Sequence, residues 1–210
     1  DSVLASLAPH IARGACIIPW PTRGESAAQQ AAAHGALLAE RRFADGAGGA
    51  YSLSPASLLT IPAGTRLVLP SPNGARLALA AAARGATVLI GCLRNARAVA
   101  DACREIGAPV TVVAAGERWP HDGSLRVALE DHLGAGAILS EFIGPNDVSE
   151  AGAAVALFRA MQPELRQTLH ACASGQELLA RGYAEDVDLA AELDTDTVVP
   201  LLSEGRLLPR

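Results

Sequence analysis

Lysine is missing from this 210-residue chain, and all 17 of its Lys-or-Arg positions are arginine. That excludes a Schiff base on a lysine amine and a P-loop lysine on a phosphate. Aromatic residues make up only 3% and methionine occurs once, so any core must be assembled from small side chains, chiefly Ala, Leu and Val. No apolar run reaches the ~20 residues that span a bilayer. Charged residues are few, at 19%, with a net charge of −5, which leaves no electrostatic footprint for nucleic acid or for an anionic membrane. Cys16, Cys92, Cys103 and Cys172 stand apart without a CxxC pair, so no zinc ribbon is legible, and they read as small reduced core residues of a cytoplasmic protein. HExxH, GxSxG, the C-x5-R loop and the DxDx(T/V) loop are all absent, so no ordinary protein nucleophile has a carrier.

What is present is a chain that is half hydrophobic, too apolar to be disordered. The first legible element is a helix over Ser2–Arg13, and an α/β chain of this kind leads us to expect a strand before it. Apolar runs predict strands at Ala15–Pro19, Ala36–Ala39, Thr65–Leu69, Thr87–Ile90 and Val110–Ala114. Helices are expected from Thr22 to His34, Asn73 to Arg84, Asn95 to Ile106 and Ser124 to Phe142, three of them stopped by Gly35, Gly85 and Gly107. Asp45–Gly49 reads as a loop, and Ser52–Leu59 as irregular with a single turn. The later chain reads as helices over Ser149–Met161, Pro163–His170, Ser174–Arg181 and Ala184–Leu193. Two short strands, Thr197–Leu201 and Arg206–Leu208, then follow around a Glu204-Gly205 turn. The expected fold is α/β: a three-layer, mostly parallel sheet with helices on both faces and the helical C-terminal part packed on it. The chain reads as one domain, 1–210, with a change of pattern that divides it into subdomains of about 1–146 and 147–210. Its Ala-rich helices suit packing between subunits of a homo-oligomer as well as packing in a core.

In such sheets ligands bind beyond the carboxyl ends of parallel strands. Ser71-Pro72-Asn73-Gly74 leads straight into a helix, whose free N–H groups form an anion site. As a plain alternative, Asn73 is an N-cap. Asn95 stands at the next helix start with the same two readings, beside Arg94. Glu117-Arg118 follows the third of these strands, and is either a site pair or a salt bridge. Glu130-Asp131 lies within an otherwise apolar helix, followed by Gly134 and Gly136, which would let that helix approach the sheet closely. Glu185-Asp186 sits in a helical first turn, where the dipole favours carboxylates in any case. With no nucleophile in view, an anion site plus carboxylates fits metal-assisted hydrolysis by water.

Several blocks together resemble the 2-phosphosulfolactate phosphatase family. Leu69-Pro70-Ser71-Pro72-Asn73-Gly74-Ala75 is similar to its TTTNGT-type loop, and Gly91-Cys92-Leu93-Arg94-Asn95-Ala96 to its G-S/C-x-x-N-A segment. Ala114-Ala115-Gly116-Glu117-Arg118-Trp119, Leu129-Glu130-Asp131 and Gly134-Ala135-Gly136 resemble its AGxR…xED…xGA block. Glu40-Arg41 and Ser54-Pro55 look like its GER and NSP segments. Ser174-Gly175, Gly182–Val187, Ala191–Asp194 and Val198–Pro200 resemble its C-terminal signature. The likeness runs from about Ile11 to the C-terminus. It departs from the family where Ser71-Pro72 replaces two threonines, and where an Asp-bearing first strand would lie at or before Asp1-Ser2.

The resemblance implies a Mg2+-dependent phosphatase acting on a small-molecule phosphoester, 2-phospho-3-sulfolactate on the path to coenzyme M or a related substrate. A non-catalytic anion- or metabolite-binding protein on the same scaffold is the alternative. On this reading Ser71, Asn73, Gly74 and Asn95 cradle the phosphate, while Arg94 and Arg118 hold the anionic tail. Glu117, Glu130 and Asp131 serve catalysis, and Glu130, Asp131 and Asp186 serve the metal.

Overall fold

The computed structural model describes residues 8–39, 51–119, 121–144 and 146–210. They fall into two compact units, one within Val3–Ile90 and Val198–Arg210, the other within Gly91–Thr197. The chain therefore divides after Ile90 and again before Val198, and not near residue 146. Most of the expected first helix, the Glu40-Arg41 block and the Asp45–Gly49 loop lie outside the described residues.

The first unit begins with helix α1 (Ala8–Ala12), strand β1 (Cys16–Trp20), helix α2 (Glu25–Ala33) and strand β2 (Leu37–Leu38). In the Ser54-Pro55 block, Ser54 Oγ accepts the Ser57 N–H and Pro55 opens helix α3 (Pro55–Leu58), a position where its missing donor costs nothing. Strand β3 (Arg66–Pro70), helix α4 (Gly74–Ala82) and strand β4 (Val88–Leu89) follow.

The second unit opens with a 3-10 turn at Leu93–Asn95 that runs into helix α5 (Ala96–Ile106). A hairpin of β5 (Glu117–Arg118) and β6 (Leu125–Arg126) precedes helices α6 (Leu129–Leu139) and α7 (Glu150–Met161). Helices α8 (Leu165–Ala171), α9 (Ala173–Leu179) and α10 (Ala184–Ala190) complete it. The chain then returns to the first unit as β7 (Pro200–Ser203) and β8 (Arg206–Pro209). Glu204 and Gly205 both take positive φ, 48° and 75°, as a two-residue hairpin turn requires.

Among the described residues the main sheet has the order β2-β3-β1-β8-β7-β4. β2, β3 and β1 pair in parallel, with Ile17 opposite Leu67 and Leu37 also opposite Leu67. β8, β7 and β4 add on in antiparallel fashion; between β7 and β8 a tight hairpin allows no other pairing. β7 nevertheless points the same way as β1, β2 and β3, so the sheet is mainly parallel in strand direction. Alternation sends Ile17, Leu67 and Leu69 to one face, against Ile11 of α1, Leu58 of α3 and Ala78 of α4. It sends Ile18 and Val68 to the other face, against Ala31 of α2. Full burial of each such Leu, Ile or Val contributes about 1.5–3 kcal/mol.

Three expectations are corrected. β4 is not a parallel neighbour of β3; it runs the opposite way, and β1, β8 and β7 lie between them. Val110–Ala114 forms no strand, and Val110 and Val113 are 42% and 63% exposed. Strand propensity needs a neighbour to pair with, and the described residues of the second unit offer that run none. The helix expected over Ser124–Phe142 starts only at Leu129, because Leu125 and Arg126 are taken up by the hairpin. Gly136 does allow a close approach, but of a helix and not of the sheet: a Cβ there would lie 2.2 Å from the Ala154 carbonyl oxygen of α7. Among the described residues no helix is long and apolar enough to cross a membrane.

Candidate functional site

In the first unit, β3 delivers Pro70 and Ser71 directly to the start of α4. Ser71 is buried, and its N–H bonds the Trp20 carbonyl at 2.9 Å, tying the loop to the end of β1. Asn73 occupies the N-cap position, yet its side chain makes no capping hydrogen bond. Gly74 is the first helical residue. The plain capping reading of Asn73 thus lacks its defining contact.

In the second unit, side chains from separate elements meet around the hairpin. Asp131, in the first turn of α6, accepts the Gly116 N–H on Oδ2 at 2.8 Å. Gly116 has a φ of 71°, and a Cβ there would lie 3.2 Å from the Arg126 carbonyl oxygen; only glycine fits both the dihedral and the space. Glu117 accepts the Arg118 N–H on Oε1 at 2.8 Å, while Arg118 donates from Nη1 to the Gly123 carbonyl at 2.6 Å and is exposed. Arg126 donates from Nη2 to Ser174 Oγ at 3.0 Å, and its guanidinium lies 5.3 Å from the centre of the Trp119 ring. Cys172 Sγ stands 3.7 Å from Glu130 Oε2 and 3.1 Å from the Leu169 carbonyl, with one proton to share. Burial, reinforced by the Glu130 charge, raises the Cys172 thiol, and burial pushes the Cys92 thiol up to about 11. Both therefore stay protonated near neutral pH, poor nucleophiles as the sequence led us to expect.

Arg94 and Asn95 serve the frame of this unit. Arg94 donates from Nε and Nη2 to the two oxygens of Asp196, at 2.8 and 3.2 Å, and from Nη1 to Glu192 and to the Leu189 carbonyl. Burial opposes its charge, but these carboxylates outweigh that and raise its pKa. Asn95 is fully buried, and its Oδ1 accepts the Cys92 N–H at 2.9 Å, closing the 3-10 turn. Asp186, in the first turn of α10, is 2% exposed and is not the solvated helix-end acid that its position alone implies. Among the described residues no group of three or more His, Cys, Asp or Glu converges as a ready metal cage.

A family model described as 2-phosphosulpholactate phosphatase matches residues 7–205. The chain belongs to the 2-phosphosulfolactate phosphatase family. A protein of Symbiobacterium thermophilum named "Probable 2-phosphosulfolactate phosphatase" is 33% identical over 149 residues, covering 69% of this chain and 61% of that protein. A "2-phosphosulfolactate phosphatase" of Methanothermobacter thermautotrophicus is 31% identical over 145 residues, 69% of this chain and 59% of its own. A "Probable 2-phosphosulfolactate phosphatase" of Deinococcus radiodurans is 33% identical over 150 residues, 70% and 60% respectively. The chain thus spans about three fifths of the length of these relatives.

Within this family member the AGxR, ED and Ser174-Gly175 blocks come together in one unit, joined by the bonds of Asp131, Arg126 and Cys172. Arg126 and Asp196 escaped the sequence reading. Each sits in an unremarkable local stretch and finds its partner 48 and 102 positions away. The only local hint was Trp119, a rare aromatic that follows Arg118.

Proposed function

We propose that this family member hydrolyses a small anionic phosphomonoester, 2-phospho-3-sulfolactate or a close chemical relative, with Mg2+ as its metal. What supports this is the convergence of three family blocks on a cluster that carries acids, guanidinium groups and hydroxyls together. The donor set suits a hard cation. Glu130 is half-buried, and among the described residues no cationic side chain pairs with it. Mg2+ takes oxygen donors, commonly one or two carboxylates completed by phosphate and water. Glu130 and Asp131 would hold it; Asp186 does not join them in a three-acid group. When bound, the ion offsets the charge that gathers on the phosphoryl oxygens.

The chain's own groups do the rest. In the first unit, the N–H groups at the start of α4, with Ser71, Asn73 and Gly74, suit the oxygens of an anion; in the second, Asn95 fixes the shape of its own loop. Arg94 acts on the substrate only through the turn it holds, and Arg118, exposed and bonded to the Gly123 carbonyl, lies on the hairpin face away from Glu117. Glu117 takes a proton from the attacking water. The water oxygen forms the new P–O bond, the ester P–O bond breaks with its electron pair on the alcohol oxygen, and that oxygen takes up a proton. Free cysteines fit a cytoplasmic setting.

Phosphate release from a panel of phosphomonoesters, with Mg2+ and after chelation, tests this reading. Release should be greatest for esters with an anionic tail and should stop on chelation. Binding of these anions with no release under any condition would replace the enzyme with an anion-binding protein.

A further inference from the structure

We propose that Arg126, which lies outside every matching block, is the guanidinium that holds the second anionic group of the substrate, the carboxylate or sulfonate beside the phosphoester. The identity of that tail rests on the phosphatase reading; the anion site itself does not. The hairpin register places Arg126 opposite Glu117 and Leu125 opposite Arg118. Directly paired residues share a face and neighbours along a strand alternate. Glu117, Trp119 and Arg126 therefore occupy one face, and Arg118 the other. Arg126 is half-buried, laid over the Trp119 ring at 5.3 Å and tethered by Nη2 to Ser174 Oγ at 3.0 Å.

A ring and a neutral hydroxyl orient the guanidinium without neutralising it. Among the described residues no carboxylate forms an ion pair with Arg126, whereas Arg94, Arg97, Arg104, Arg166 and Arg181 each have one. Its cross-strand neighbour Glu117 instead accepts the Arg118 N–H. A guanidinium has five donors in a fixed fork, and the Ser174 contact uses one. A partly buried, pre-oriented cation with donors to spare calls for an anion, and planar carboxylate or sulfonate oxygens match its fork. Arg118 is exposed, on the opposite face, and engaged by the Gly123 carbonyl.

The test uses the full chain and three variants, Arg126→Gln, Arg126→Lys and Arg118→Gln, each checked by a thermal melt. Calorimetric titration with sulfolactate and with inorganic phosphate reads the tail site without needing turnover. In Arg126→Gln the ratio of sulfolactate to phosphate affinity should fall about 10- to 100-fold, the range for a charged hydrogen bond. Arg126→Lys keeps stem and charge, so it should lose less and provides the reading should the Gln variant unfold. The ratio of kcat/KM for a sulfonated ester over one with an uncharged tail should fall in step, through KM. An equal loss for both probes, a loss confined to Arg118→Gln, or unchanged ratios in both Arg126 variants would overturn the proposal. Failure of every ester to turn over, with sulfolactate binding still dependent on Arg126, would sink the phosphatase reading and leave this one standing.

Discussion

Two arginines of the second unit show how differently one side chain can be used. Arg94 is buried against Asp196 and Glu192, whereas Arg126 rests on a ring and a hydroxyl. Truncating Arg94 strands the Asp196 carboxylate, whose side chain is only 7% exposed. Arg94→Ala should therefore cost about 3–5 kcal/mol in a urea melt, and an Arg94→Met, Asp196→Leu pair should regain most of it. Asn73 invites the opposite test. Asn73→Ala should raise KM for a phosphomonoester at least fivefold. Normal kinetics in that variant would remove Asn73 from the phosphate cradle. Placement was legible where it obeyed a local rule: Asn73-Gly74 at a helix start, Glu130-Asp131 within a helix. It was not legible where meaning came from distant partners, as with Arg126 and Ser174.

At the scale of elements, helix ends were the clearest part of the text. Gly35, Gly85 and Gly107 follow α2, α4 and α5 within three residues, as their stop signals imply. Val110–Ala114 misled because a β-branched run states only a preference; pairing is decided elsewhere. The α6–α7 contact depends on what Gly136 lacks. With the Ala154 carbonyl 2.2 Å from an added Cβ, backbone must shift, and Gly136→Ala should destabilise by about 1–3 kcal/mol, measurable by denaturant melts. Helices α8 and α10 are tied by Asp188, which accepts from Arg166 at 2.7 and 2.8 Å and contacts His170 Nε2 at 2.6 Å. The Arg166 bonds, then the His170 bond, hold the Asp188 carboxyl well below its usual range. A depressed value means that this contribution is complete above about pH 4 and fades as pH falls below it. The gap in melting temperature between the parent and Asp188→Asn should be open at pH 7 and close on acidification. A gap that widened in acid would contradict the assignment.

For the molecule as a whole, the second unit is one unbroken stretch whose two ends are pinned to each other. Asp194 and Asp196 donate their N–H groups to the Leu93 and Arg94 carbonyls, at 3.0 and 2.8 Å, beside the Arg94–Asp196 ion pair. An excised 91–197 chain should therefore show helical circular dichroism and one cooperative transition; a featureless coil would contradict this. Such long-range bookends are invisible to periodicity, so the sequence conveyed alternating elements but not where the units divide. The position of β8, between β1 and β7, also has a consequence for the order of manufacture. Residues 8–90 leave the ribosome with an unfilled slot between β1 and β4, and more than a hundred residues must follow before β7 and β8 can close it. The middle of the chain can finish first, and the beginning is finished by the end. Translation that stalls near residue 197 would release a completed second unit attached to a sheet whose β1 edge, with Ile17 on it, faces whatever neighbour arrives.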